Sequence, residues 1–257
     1  MAEHRRRAQG RRPWRARGGY PMSASSGRSP LDSVTFCQRM TQSYENRIPA
    51  DVRAIIAEEA IAPLGEQPHV VDLGCGPGLW LRDVAALRPN ATLAGYDRDA
   101  QMLDAARSLG LKHAKWHSAD VGAPDFTLKP DSCDVIAMHF FLHFFADPRH
   151  LLATMHDALR PGGAYVMTGW VRSSMADFYA FWEKARAVLE SGSPDAGRPN
   201  DPEAFCYQRF AEFNRYTLDD IRWLLDRHGF TVRRAGMYTK NFAYLIASGQ
   251  QAAGGGQ

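Results

Sequence analysis

The sequence predicts an α/β protein with one doubly wound, mostly parallel seven-stranded sheet and helices on both faces. Three observations predict it. From residue 69 onward, short apolar runs alternate with helical patterns, and this alternation builds right-handed βαβ units. The first run ends in a glycine-rich turn at 74–78. The chain of 257 residues, 45% of them hydrophobic, is long enough for one such domain plus an insertion.

Residues 1–30 are rich in Arg, Gly and Ser and read as a disordered basic tail. The domain proper is expected over 31–248. Residues 31–64 read as helical, with Val52, Ile55, Ile56 and Ile61 near helical spacing and Pro63, Gly65 and Pro68 as the stop. Strand 69–73 precedes helix 79–87, which Pro89 and Asn90 end. Strand 91–96 precedes helix 100–109, which Gly110 ends. Weaker strand 112–117 is followed by strand 133–139 and helix 149–159. Pro161-Gly162-Gly163 then reads as a turn into strand 164–168.

Residues 171–216 break the rhythm. They carry many aromatics, are split by a polar Gly/Pro stretch at 191–202, and read as a helical cap over the substrate site. Thr217 N-caps helix 218–228, with Asp219 and Asp220 in its first turn, and Gly229 ends it. Strands 230–238 and 242–247 close the fold, and 249–257 read as a disordered tail.

The net charge of +3 is unevenly placed. Residues 1–21 hold seven Arg and one acid, Glu3, giving +6, so the remainder carries 3 − 6 = −3. A mildly acidic domain gives no argument for a nucleic-acid partner; a transit peptide or RNA-binding arm stays open for the tail. A chain starting at Met22 is expected to keep its stability and ligand affinity. No apolar run approaches the roughly 18 residues of a membrane span, so a soluble, cytoplasmic protein is expected. Cys37, Cys75, Cys133 and Cys206 are scattered and form no CxxC pair, so neither a metal centre nor a disulfide framework is expected.

The informative stretch is Val70-Val71-Asp72-Leu73-Gly74-Cys75-Gly76-Pro77-Gly78. A strand carrying an acid runs into a Gly-x-Gly-x-Gly turn and then a helix. A dinucleotide loop would need a glycine where Leu79 stands, and an acid two residues before Gly74 would repel a pyrophosphate. The same acid suits a ligand with an ammonium group and no phosphate. No Gly-x-x-x-x-Gly-Lys-Ser/Thr occurs, so a P-loop is excluded.

This stretch resembles motif I of the class I S-adenosylmethionine (SAM)-dependent methyltransferases. Gly95-Tyr96-Asp97, Ser118-Ala119-Asp120-Val121, the 133–139 strand and Leu159-Arg160-Pro161-Gly162-Gly163 match later family landmarks in order. The likeness is strong over about 40–170 and weak over 217–248. It implies SAM as cofactor, held by Asp72, Gly74, Cys75, Gly76 and Gly78. Asp97 would take the ribose hydroxyls beside Arg98, and Asp120 and Val121 would lie near adenine. Met102 would either pack on the adenine or belong to the core.

His139 and His143 are the general-base candidates, near the carboxyl end of the fourth strand where such sheets bind ligands. An imidazole with a pKa near 6.5 would take a proton near neutral pH. Tyr44 is expected to close over the cofactor or to pack at the surface. The (Asp/Asn)-Pro-Pro-aromatic motif of DNA-base and amide methyltransferases is absent at 138–141, only Asp147 could serve a catechol-type metal there, and no thiols cluster for arsenic chemistry. Phe140, Phe141, Phe144 and Phe145, with the aromatic insertion, point to an apolar or aromatic small-molecule acceptor, as in secondary metabolism, or to ordinary core. The alternatives are non-methylating chemistry on the same fold, of pericyclase or carboxy-SAM type, and an inactive SAM-binding subunit. A homodimer is left open.

Overall fold

A computed structural model describes residues 33–190 and 202–249. The basic 1–30 segment, most of the polar 191–202 stretch and residues 250–257 lie outside the described residues. The sheet has seven strands in the order β3-β2-β1-β4-β5-β7-β6. These are β1 His69–Leu73, β2 Thr92–Asp97, β3 Ala114–Ser118, β4 Cys133–His139, β5 Leu159–Trp170, β6 Phe230–Met237 and β7 Phe242–Gly249. The first five run parallel; β7 is antiparallel to β5 and to β6. Gly249 pairs with Phe230, so the closing strand reaches one residue into what the sequence assigns to the tail.

The core explains the apolar runs. Along β1, β4 and β5 successive side chains enter opposite faces. Val70, Val135, Ala164 and Val166 join one cluster with Val52, Ile56, Leu81 and Val84. Val71, Ile136, Tyr165 and Met167 join the other with Leu152, Met155, Ile221 and Leu225. A sheet buried on both faces needs continuous apolarity rather than alternation.

The expected single N-terminal helix is divided into α1 (Ser33–Gln42), α2 (Tyr44–Arg47) and α3 (Ala50–Ile56), the last running on through a π-helical turn at Ala57–Ile61. Pro49 makes the second break. It cannot continue a hydrogen-bond ladder and forces Ile48 out of helical backbone, to φ −127° and ψ 83°. α4 (Leu79–Leu87), α5 (Ala100–Ser108) and α6 (Arg149–Ala158) are the crossover helices. Asp99 caps α5, accepting from Gln101 N–H at 2.9 Å and Met102 N–H at 3.3 Å. It also accepts from Ser33 Oγ at 2.6 Å, pinning the start of α1 there.

The segment Pro161-Gly162-Gly163 lies inside β5 rather than before it. Cys133 pairs with Leu159 and Val135 with Ala164, so the extra residues bulge out of the ladder. The insertion is helical as expected: α7 (Met175–Glu190) and α8 (Pro202–Phe213) precede α9 (Leu218–Arg227). Thr217 and Asp220 form a reciprocal capping box at the start of α9.

Candidate active site

The turn after β1 takes its shape from three glycines with φ of +75°, +52° and +76° at 74, 76 and 78. Gly74 and Cys75 N–H both donate to Tyr96 O, at 2.8 and 2.9 Å, which fastens the turn to β2. At Gly78 a Cβ would meet the Trp116 ring at 2.6 Å, so close packing excludes any side chain. At Gly76 a Cβ would find only Met102 Sδ, at 3.9 Å. Beside Gly76 the backbone therefore lies open to a ligand.

Two carboxylates border this turn. Asp97, at the end of β2, accepts from Gly76 N–H through Oδ2 and from Asp99 N–H through Oδ1, both at 2.9 Å. Burial raises its pKa, and these N–H groups oppose the rise. Asp72 is 2% exposed and its Oδ1 has no hydrogen-bond partner. Burial holds its pKa well above the ordinary carboxylate range, and the Asp97 charge adds to the rise. An orphaned, buried carboxylate beside a second acid is a costly arrangement. A cationic group on a ligand would relieve it, and the ammonium of SAM is such a group. The residues present therefore fit SAM, with Asp72 for its ammonium and Asp97 for its ribose.

The remaining sequence-predicted residues divide. Met102 is buried at the start of α5 and touches the open side of Gly76, so it is both core and crevice wall. The Cys75 thiol is buried in the turn, and burial pushes its pKa up. Arg98 is exposed, beside Asp97. Asp120 is exposed and accepts from Gly122 N–H at 3.0 Å. Val121 is buried in the core cluster that contains Phe126 and Phe145.

Tyr44, expected to close over the cofactor, and His139 and His143, the general-base candidates, sit in unexpected environments. Tyr44 is neither at the surface nor free: it is 5% exposed, its hydroxyl donates to Asp83 Oδ2 at 2.8 Å, and Arg53 and Arg82 lie over its ring. Burial and that hydrogen bond raise its pKa, so the phenol keeps its proton. His139 Nδ1 lies 3.0 Å from Thr168 Oγ1, its ring packs against Trp80 at 4.8 Å, and its Nε2 has no partner. His143 packs between Phe144 and Phe213, and neither ring nitrogen has a partner. The expected pKa near 6.5 is not met at either. Burial pulls both down to about 3, with the Arg47 charge adding to the effect at His139 and Arg215 at His143. In this state neither imidazole takes up a proton at neutral pH.

Two features escaped the sequence. One is a wall of rings at the carboxyl end of β4 and β5. Phe140 touches Phe242 at 5.0 Å, Phe242 touches Trp170 at 4.7 Å, Trp170 touches Phe213 at 5.4 Å, and Phe213 touches His143 at 4.8 Å. Phe140 holds its place in left-handed backbone, φ +53°, which is strained for an aromatic residue and typical of functional sites. The other is Arg47, whose guanidinium lies over the Phe140 ring at 5.3 Å. Only the aromatic run at 140–145 signalled either feature.

The fold is the Rossmann-like, seven-stranded one that SAM-dependent methyltransferases share. Residues 71–165 match the family model described as a methyltransferase domain. Trans-aconitate 2-methyltransferase of Deinococcus radiodurans is 33% identical over 115 residues, covering 44% of this chain and 43% of that protein. Carboxy-S-adenosyl-L-methionine synthase of Campylobacter curvus is 30% identical over 124 residues, 46% of this chain and 51% of its own. The chain thus spans about half the length, or less, of these curated relatives. A SAM-dependent methyltransferase from Aquifex aeolicus shares the fold, with a TM-score of 0.57, 17% identity, and coverage of 84% of this chain and 98% of its own. Among the described residues, no group of three or more His, Cys, Asp or Glu is placed to hold a metal ion.

Proposed function

We propose that the protein transfers the methyl group of SAM to a small molecule whose carbon skeleton rests on the aromatic wall at the carboxyl end of β4 and β5. The observation that carries the reading is the orphaned, desolvated Asp72 beside the open glycine turn and Asp97. SAM, when bound, supplies an electrophilic methyl on a sulfonium. The chain's part is to fix the donor by Asp72, Asp97 and the turn, and to hold the acceptor in line with it. Positioning of that kind supplies much of the rate in a displacement. Faces of Trp80, Phe140 and Phe141 near the end of β4 would favour the sulfonium charge.

The acceptor reading combines two supports. The rings of the cap favour an apolar or aromatic body, and the trans-aconitate relatives favour a small organic acid. A dissolved metabolite in the cytoplasm fits both; among the described residues no helix is long and apolar enough to cross a membrane. Calorimetry with SAM, S-adenosylhomocysteine and NAD tests the cofactor half. Binding of both sulfur nucleosides is expected, and NAD binding in their place would overturn the reading.

A second reading, chemistry on SAM itself, is favoured by the carboxy-SAM synthase relative. Product masses after incubation with methyl-labelled SAM separate the two. A labelled acceptor supports methyl transfer, whereas a modified sulfur nucleoside with unlabelled acceptor supports the second reading.

A further inference from the structure

Buried guanidinium groups normally have carboxylate partners, because an unpaired cation out of water is costly. Several arginines of this domain pair with an acid: Arg82 with Asp83, Arg149 with Asp147, Arg160 with Asp134, Arg209 with Glu212 and Arg234 with Glu59. Arg47 and Arg215 are among those that do not, as is Arg88, which donates to the carbonyls of Ile61 and Ala62. Arg47 donates to the neutral acceptors Ser43 Oγ at 3.1 Å and Met40 O at 2.9 Å. Its remaining face lies on the Phe140 ring. Removal from water pulls its pKa down to about 10. Arg215 follows α8, and its Nε is buried without a partner. Among the described residues neither has an acid within ion-pair distance; Asp147, the acid in the loop after β4, is already held by Arg149 at 2.5 Å.

These two cations bracket the aromatic wall. Arg47 stands at its Phe140 end, where its charge reaches His139, and Arg215 stands at its His143 end. Resting on the reading of this wall as the acceptor site, we infer that Arg47 and Arg215 are specificity-determining residues that hold the carboxylates of a di- or tricarboxylic acid acceptor. One of those carboxylates would receive the methyl group.

The chemistry agrees with the rest of the site. A carboxylate oxygen forms the O–CH3 bond as the S–CH3 bond breaks, and the electron pair stays on sulfur. The products are a methyl ester and S-adenosylhomocysteine, and no proton moves. A site for this reaction needs no base, and His139 and His143 are both held neutral. A phenol or amine acceptor would instead need a group to take its proton.

The test uses the full chain saturated with S-adenosylhomocysteine and titrated calorimetrically with tricarballylate, a saturated tricarboxylate that probes the anion site. Turnover with trans-aconitate is measured alongside. The parent is expected to bind tricarballylate, and Arg47→Gln and Arg215→Gln should each weaken it at least tenfold, with S-adenosylhomocysteine affinity within twofold. Arg47→Lys and Arg215→Lys keep charge but lose the planar fork, so partial recovery is expected from each; the lysine variants also stand in if a glutamine variant does not fold. A parent that binds S-adenosylhomocysteine but no tricarboxylate would overturn the inference while leaving the methyltransferase reading intact. Loss of S-adenosylhomocysteine affinity in Arg47→Gln would also overturn it, by assigning that cation to the cofactor. A parent that binds no sulfur nucleoside would sink the functional reading itself, and the inference with it.

Discussion

On the β1–β2 side of the sheet's carboxyl edge, the site is made of backbone. Three left-handed glycines and two acids lie close in sequence, and their bonds run to Tyr96 O, Gly76 N–H and Asp99 N–H. On the β4–β5 side it is made of side chains brought from far apart: Phe140, Trp170, Phe213 and Phe242 with Arg47 and Arg215. In the proposed reading the first region binds a constant cofactor and leaves little freedom in residue type. The second would face a variable acceptor, so packing could be redrawn there without disturbing the turn. If this division is real, substitutions in one region should leave the other's ligand untouched.

Gly78→Ala breaks the backbone side most severely. It places a Cβ in left-handed backbone and 2.6 Å from the Trp116 ring. The two penalties together should cost about 2–4 kcal/mol of stability. A denaturant midpoint unchanged from the parent would show that the turn tolerates a side chain.

Asp72→Asn sharpens the comparison. Cofactor affinity should fall by about 1.5–3 kcal/mol, the scale of a hydrogen bond to a charged group. The ligand-free protein should become more stable, because burial and the Asp97 charge both disfavour an ionised Asp72 and asparagine cannot ionise. Calorimetry and thermal melts read the two effects separately, and a destabilised ligand-free variant would mean that Asp72 has a partner in solution.

The histidines test the other side through pH. Their folded pKa values of about 3 lie below the 6.5 of an ordinary imidazole. The unfolded chain therefore binds protons first, and their contribution is lost as pH falls from about 6.5 toward 3. The expected loss is about 1.4 kcal/mol per pH unit for each imidazole. Asp72 and Asp97, with raised pKa values, act in the opposite direction as they protonate. The double variant His139→Asn/His143→Asn should flatten the acid limb of a stability–pH curve; an unchanged limb would mean that both rings are solvated. The smallest effect is expected from Phe213→Leu, which thins the wall at a cost below about 1.5 kcal/mol. KM for the acceptor should rise severalfold with cofactor affinity constant, and a matching loss of cofactor affinity would merge the two regions.

The division also explains what could be read from the chain. Gly76 and Gly78 were legible because positive φ and close packing demand glycine locally, and Asp72 and Asp97 because they end strands at a fixed spacing. Thr217 and Asp220 announced a helix start for the same local reason. Arg47 was not legible: its lack of a carboxylate partner is a property of the folded surroundings. The depressed pKa of His139 likewise depends on Trp80 and Arg47, which α4 and α2 bring near only in the folded chain. The N-terminal helix was read too long because its apolar spacing outweighed Pro49, whose effect on Ile48 is wholly local.

Asp99 carries two duties at once, as the cap of α5 and as the acceptor for Ser33 Oγ. α1 therefore cannot lift from the domain without taking a hydrogen bond from the residue that orders the start of α5, two positions beyond Asp97. Departure of the arm would be a cooperative event felt at the loop after β2 rather than a fraying of the first turn. Its natural observable is a rate. Amide exchange at Gln101 and Met102 should quicken together when Ser33 is replaced by alanine, and the speed at which cofactor and product trade places should follow the same clock.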